Sequence, residues 1–133
     1  MISNFQPKTK LELMEQNPIT LAFLGDAVHS LFIREWLVST HNAKAHKLHL
    51  LSSKIVCAVS QSKAWDSLES TLTQEELGVA LRARNAHYGA MAKNATSEEY
   101  HKATMLEAVV GYDYLLGNME RVKEILNFTL PKE

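Results

Sequence analysis

A chain of 133 residues with 46% hydrophobic and 22% charged residues suits one globular domain around one hydrophobic core. That balance excludes a disordered or low-complexity chain, and no window is apolar for long enough to span a membrane. The formal charge of −1 points to no partner by itself.

Apolar residues recur at helical spacing almost throughout, with only 5 Gly and 3 Pro, so the expected fold class is all-α, one domain over residues 1–133. Residues 1–16 read as a polar lead followed by a short helical piece around Leu11, Leu13 and Met14. A central helix is predicted over about 17–40, with Asn17 as N-cap and Pro18 at the first helical position. Leu21, Leu24, Val28, Leu31 and Phe32 form one apolar stripe; Ile19, Ala22, Ile33 and Leu37 make the opposite side apolar too, which marks a buried helix. After a turn at 41–44, a second long helix spans about 45–70, with Leu48, Leu51, Ile55, Val59 and Leu68 inward. The single Cys57 is expected to be a reduced core residue. Together with an N-terminus that lacks a signal-peptide plan, it points to the cytoplasm. Thr73, three residues before Glu76, is a capping box opening a third helix that carries Leu77, Ala80 and Leu81 and ends near Asn85. Residues 85–96 are small, basic and amide-rich without periodicity, and read as an exposed loop. Ser97 caps the next helix, whose first turn holds Glu98 and Glu99 and which Gly117 ends. A last helix over 119–128 turns Val122, Ile125 and Leu126 inward.

Two acids stand out. Asp26 lies on the second apolar side of the central helix, where a carboxylate is costly unless paired, hydrogen-bonded or bound to a metal. Gly25 beside it costs about 1 kcal/mol in a helix interior, which close approach of another helix would repay. Glu107, in the helix after the loop, shares a small, mostly apolar face with Thr104, Gly111 and Tyr114. Each acid has a glycine near it on its own helix, so the two helices are expected to cross closely and bring Asp26 and Glu107 together. Two carboxylates in an apolar setting repel unless they share a proton or a cation. A hard divalent cation such as Mg²⁺, held by one or two carboxylates and several waters, suits such a pair. Next to a phosphate-attracting surface it would give a phosphodiesterase; an acid pair kept as a structural network is the alternative.

The charge distribution supplies that surface. No acid lies between Glu35 and Asp66, where Lys44, Lys47, Lys54 and Lys63 fall, nor between Glu76 and Glu98, where Arg82, Arg84 and Lys93 fall. Solvated helix faces are the alternative. His29, one turn beyond Asp26, is either a core histidine or a hydrogen-bonding neighbour of the acids. His41, His46 and His49 lack the second ligand cluster that zinc would need.

Phe23-Leu24-Gly25-Asp26-Ala27-Val28 resembles the signature of ribonuclease III nuclease domains. Thr104-Met105-Leu106-Glu107-Ala108-Val109-Val110-Gly111 resembles the family's second acidic motif, and Leu48-His49-Leu50-Leu51-Ser52-Ser53-Lys54-Ile55-Val56 falls at its leucine-serine helix. Arg82-Ala83-Arg84-Asn85-Ala86, with Lys93-Asn94 after it, is similar to the short Mini branch; the resemblance covers about 17–118. It implies an all-helical nuclease domain, a symmetric homodimer, and Mg²⁺-dependent cleavage of double-stranded RNA leaving 5′-phosphate and 3′-hydroxyl ends, with Mn²⁺ as a substitute for Mg²⁺. Asp26 and Glu107 would be the metal ligands and catalytic acids, Phe23 would enter a socket on the partner subunit, and the substrate would be the precursor of large-subunit ribosomal RNA. Longer family members carry acids where this chain has Ala22 and Thr104, so more water ligands and a higher Mg²⁺ requirement are expected. No separate double-stranded-RNA-binding domain is expected either, which leaves RNA affinity to the nuclease domain. Arg82, Arg84 and Lys93 would pair phosphates, Asn85 and Asn94 would reach 2′-hydroxyls, and Lys44 and Lys47 would extend the track. One rival is a catalytically weakened RNA-binding or ribosome-associated module on the same fold. The other is a helical phosphohydrolase of nucleotides with His and Asp ligands, against which the Gly25-Asp26 context speaks.

Overall fold

A computed structural model describes residues 2–86 and 96–132. Among them the chain forms α1 (Lys10–Glu15), α2 (Pro18–Thr40), α3 (Ala45–Ile55), α4 (Ala58–Leu68), a 3-10 turn (Glu69–Thr71), α5 (Gln74–Asn85), α6 (Ser97–Leu115) and α7 (Met119–Asn127), and no strand. The fold class is all-α, as the periodicity predicts.

Local chemistry sets the helix ends. Asn17 accepts from the Ile19 N–H and Pro18 follows it, so α2 starts where expected. Thr73 and Glu76 form the predicted capping box of α5. Gly117, at φ +82°, ends α6: its N–H reaches the Tyr114 carbonyl and the Asn118 N–H reaches that of Asp113, a Schellman pair. The N-cap of α6 is Thr96, not Ser97; Thr96 and Glu99 satisfy each other's backbone in a capping box.

The predicted helix over 45–70 is two helices. Periodicity runs through the junction, but at Cys57 the backbone is extended, and the Ser60 hydroxyl donates to the Lys54 carbonyl at 2.8 Å. That bond gives the last turn of α3 a partner other than a continuing helix. The break lets α4 take its own direction and turn Gln61, Ala64, Trp65 and Leu68 inward.

The axis of the domain is α6, not α2. From Ala103 to Asp113 nearly every α6 residue is buried, with α2, α4 and α5 packed around it. Leu106, Val109 and Val110 meet Trp65, Leu68, Ile125 and Leu126 on one side; Ala108 and Tyr112 meet Leu21, Leu13 and Val79 on another. The inward side of α5 is Val79, Ala80 and Ala83, whereas Leu77 and Leu81 are largely exposed. Between α5, α6 and α7, buried Glu76 takes two 2.9 Å bonds from the Arg121 guanidinium and one from the Thr73 N–H, and it faces buried Asp113. Burial and the Glu76 carboxylate push the Asp113 carboxyl well above the aspartate range. Burial pulls Glu76 the same way, but bonds from Arg121, Asp113 and Thr73 hold it below the glutamate range. The pair therefore keeps one proton, on Asp113.

Candidate active site

Gly25 and Gly111 make the crossing of α2 and α6. A Cβ on Gly25 would run into the Glu107 carbonyl, and a Cβ on Gly111 into the Leu21 carbonyl. Each glycine accepts the other helix's backbone, and only hydrogen in place of a side chain permits that spacing. The crossing brings the side chains of Asp26 and Glu107 within hydrogen-bonding reach.

The two acids occupy unlike settings. In the isolated chain Asp26 is exposed, contrary to its expected burial; α2 is apolar nearly all round because its outward face, not its inner one, carries Phe23, Ala27, Leu31 and Val38. Phe23 is 81% exposed. Glu107 is half-buried. Burial, then the neighbouring Asp26, push its carboxyl up to about 8, while Gln61 pulls it down through a hydrogen bond. Gln61 also meets His29, Nε2 to Nδ1 at 3.2 Å, and both side chains are buried. Burial holds His29 down at about 4, so the imidazole is neutral at pH 7. Gln61 escaped the sequence reading, although residues 61, 64, 65 and 68 share one helical stripe and a glutamine in that stripe was the available signal.

Ala22 and Thr104 are both buried, and the Thr104 hydroxyl donates to the Tyr100 carbonyl at 3.0 Å. Neither adds a carboxylate. Among the described residues no group of three or more His, Cys, Asp or Glu could hold a metal, so His41, His46 and His49 form no such site. The acids that the crossing itself brings together are Asp26 and Glu107.

The predicted phosphate contacts diverge. Arg82 is committed elsewhere: its guanidinium donates to the carbonyls of Met14, Gln16 and Leu13, closing the C-terminal end of α1. Arg84 pairs with Glu98 through two bonds of 3.2 and 2.9 Å. Lys44 and Lys47 are exposed at the start of α3, and Asn85 is exposed at the end of α5. Lys93, Asn94 and most of the 85–96 loop lie outside the described residues.

The sequence profile of the ribonuclease III domain matches residues 19–118, a span that contains the glycine crossing and both acids. The chain belongs to the ribonuclease III family. Relatives within it include Mini-ribonuclease 3 proteins. One from Brevibacillus brevis is 44% identical over 110 residues, 83% of this chain and 82% of the relative. Another from Clostridium tetani is 38% identical over 123 residues, 92% of this chain and 82% of the relative. A crystal structure of a Fusobacterium nucleatum protein superposes with a TM-score of 0.78 at 32% identity, covering 85% of this chain and 90% of that one. This Mini-ribonuclease III-type chain is therefore an endoribonuclease, and the α2–α6 crossing lies inside its nuclease domain. No helix among the described residues is long and apolar enough to cross a membrane.

Proposed function

We propose that this endoribonuclease cuts double-stranded RNA as a homodimer with Mg²⁺ held by Asp26 and Glu107, and that its substrate is the precursor of large-subunit ribosomal RNA. The observation that carries the reading is the meeting of two carboxylates, one half-buried and one open to solvent, at a glycine crossing.

The protein contains its own comparison for the metal. Glu76 and Asp113 are also an acid pair, and Arg121 supplies the positive charge that settles them. The interactions on Glu107 are with Asp26 and Gln61, neither of them a cation. A positive charge from solution fits this second pair, and the exposed Asp26 leaves room for the water ligands that Mg²⁺ retains. Bound there, Mg²⁺ supplies Lewis-acid activation of water and of the phosphodiester. With the cation there, Glu107 would be ionised and would hold the inner side of the site, and Asp26 would face the RNA. With Ala22 and Thr104 at the other two positions, the ion would keep more water ligands and a higher Mg²⁺ concentration would be needed. Half-maximal cleavage at very low Mg²⁺ would contradict this.

Lys44, Lys47 and Asn85, with Lys93 and Asn94, form the proposed RNA track; Arg84 joins it by exchanging Glu98 for a phosphate. Arg82 is left to its role in α1. The outward apolar face of α2, with Phe23 at its most exposed point, is the proposed dimer contact. The products carry 5′-phosphate and 3′-hydroxyl ends. The test is cleavage of a long paired RNA, and of a precursor ribosomal transcript, with and without Mg²⁺, by the native chain and by Glu107→Gln. Mg²⁺-dependent cleavage lost in Glu107→Gln is the expected result. RNA bound but left intact by the native chain would favour the weakened binding module instead.

A further inference from the structure

We infer that Gln61, anchored by His29, is the positioning residue of the acid pair: its amide nitrogen holds the Glu107 carboxylate in the place from which it meets a divalent cation. The inference rests on the reading of Asp26 and Glu107 as the metal ligands.

Burial comes first. Gln61 is 4% exposed and His29 1%, so their polar atoms must find partners inside the protein. The Gln61 Nε2 lies 3.2 Å from His29 Nδ1, and the same side chain hydrogen-bonds Glu107. An amide nitrogen donates and does not accept, so His29 Nδ1 is the acceptor and the ring proton sits on Nε2. That Nε2 has no partner among the described residues, so nothing there competes for a different tautomer. The orientation matters for the ionised acid. Turned over, Gln61 would aim its carbonyl oxygen at a Glu107 carboxylate ionised by a bound cation, and two acceptors would face each other. As placed, the two N–H groups of one NH₂ serve the imidazole and the carboxylate.

The three residues come from three elements: α2 and α4 both pack on α6, and the Gln61–His29 bond joins α4 to α2. The break between α3 and α4 gives Gln61 its inward phase. A carboxylate already held in place loses little freedom when a metal arrives, and partners of this kind change metal affinity or activity by roughly 10–100-fold when removed. With only two acids at the site, the orientation of each matters more, because no further carboxylate shares the ion.

The experiment compares the native full-length chain with Gln61→Leu, Gln61→Asn and His29→Phe. Binding of Mn²⁺ alone, without RNA, is followed by the loss of free-ion electron paramagnetic resonance signal, beside the Mg²⁺ dependence of double-stranded RNA cleavage. Gln61→Leu is expected to weaken Mn²⁺ binding by about 10–100-fold and to raise the half-maximal Mg²⁺ by a similar factor, with cleavage recovering at saturating Mg²⁺. His29→Phe should move both in the same direction by less, because the amide stays but loses one anchor. Gln61→Asn withdraws the amide by one methylene while keeping its polarity, so it gives the same test if the leucine variant does not fold. A lowered melting temperature with unchanged Mn²⁺ affinity and Mg²⁺ midpoint would overturn the inference and leave Gln61 a packing residue. Glu107→Gln, run alongside, separates the two levels. If it binds Mn²⁺ as tightly as the native chain, the assignment of the metal ligand fails. If it loses Mn²⁺ while Gln61→Leu keeps it, only the positioning role fails.

Discussion

Asp113 and Glu107 are both α6 acids facing a carboxylate from another helix, and their different partners predict different behaviour. Asp113 keeps a proton that an ordinary aspartate, at 3.8, gives up. Its folded-state pKa is raised, so the stability it contributes is fully present below pH 3.8 and is lost as pH rises through the folded value. Asp113→Asn keeps an N–H for Glu76 and removes the titration. It should therefore gain on the native protein as pH rises from 5 to 9, by at most about 1.4 kcal/mol per pH unit. Urea unfolding across that range checks this, and a constant difference between the two proteins would refute it. The glycines predict a larger, pH-independent effect. Gly25→Ala or Gly111→Ala drives a methyl group into a backbone carbonyl, so the helices must separate. A loss of about 3 kcal/mol or more is expected, with nuclease activity lost even where the variant still folds. A thermal melt within a degree of the native protein would show that the crossing can relax.

Arg82 shows an element depending on a distant residue. The six-residue α1 is too short to hold itself, and its last carbonyls are taken by a guanidinium from α5. Arg82→Ala should cost about 1 kcal/mol and speed amide exchange across α1. Double-stranded RNA affinity should fall less than in a Lys44→Ala, Lys47→Ala double variant. Unaltered exchange in α1 would refute the assignment. Arg82 also marks where the sequence stops being legible: beside Arg84 in an acid-free segment it reads as a phosphate contact, and only the tertiary path of α1 reveals its carbonyl partners. The same holds at the α3–α4 break, where every residue fits a helix and the deciding bond is one serine hydroxyl reaching back. What could be read directly were features with local causes: Asn17 and Pro18, the Thr73 capping box, and paired glycines that foretold a close crossing. The exposure of Asp26 could not, because an all-round apolar α2 looks the same whether it is covered by its own chain or presents a face to another.

For the whole molecule, that outward face is the proposed surface of assembly, and Phe23 is its test. At 81% exposure the ring adds little to the stability of one chain, so Phe23→Ser should leave the unfolding free energy within about 0.5 kcal/mol of the native protein at dilution while shifting sedimentation from dimer to monomer. A native chain that sediments as a monomer would remove the dimer from the proposal. The glycine crossing carries one consequence beyond its chemistry. In a library of variants selected only for a folded, protease-resistant chain, Gly25 and Gly111 should survive as strictly as they would under selection for cutting RNA. Asp26 and Glu107 should drift freely under the first selection, Glu107 toward neutral side chains that no longer resist burial, and be retained only under the second. Comparing the two libraries would separate, position by position, the residues that build the crossing from those that act beside it.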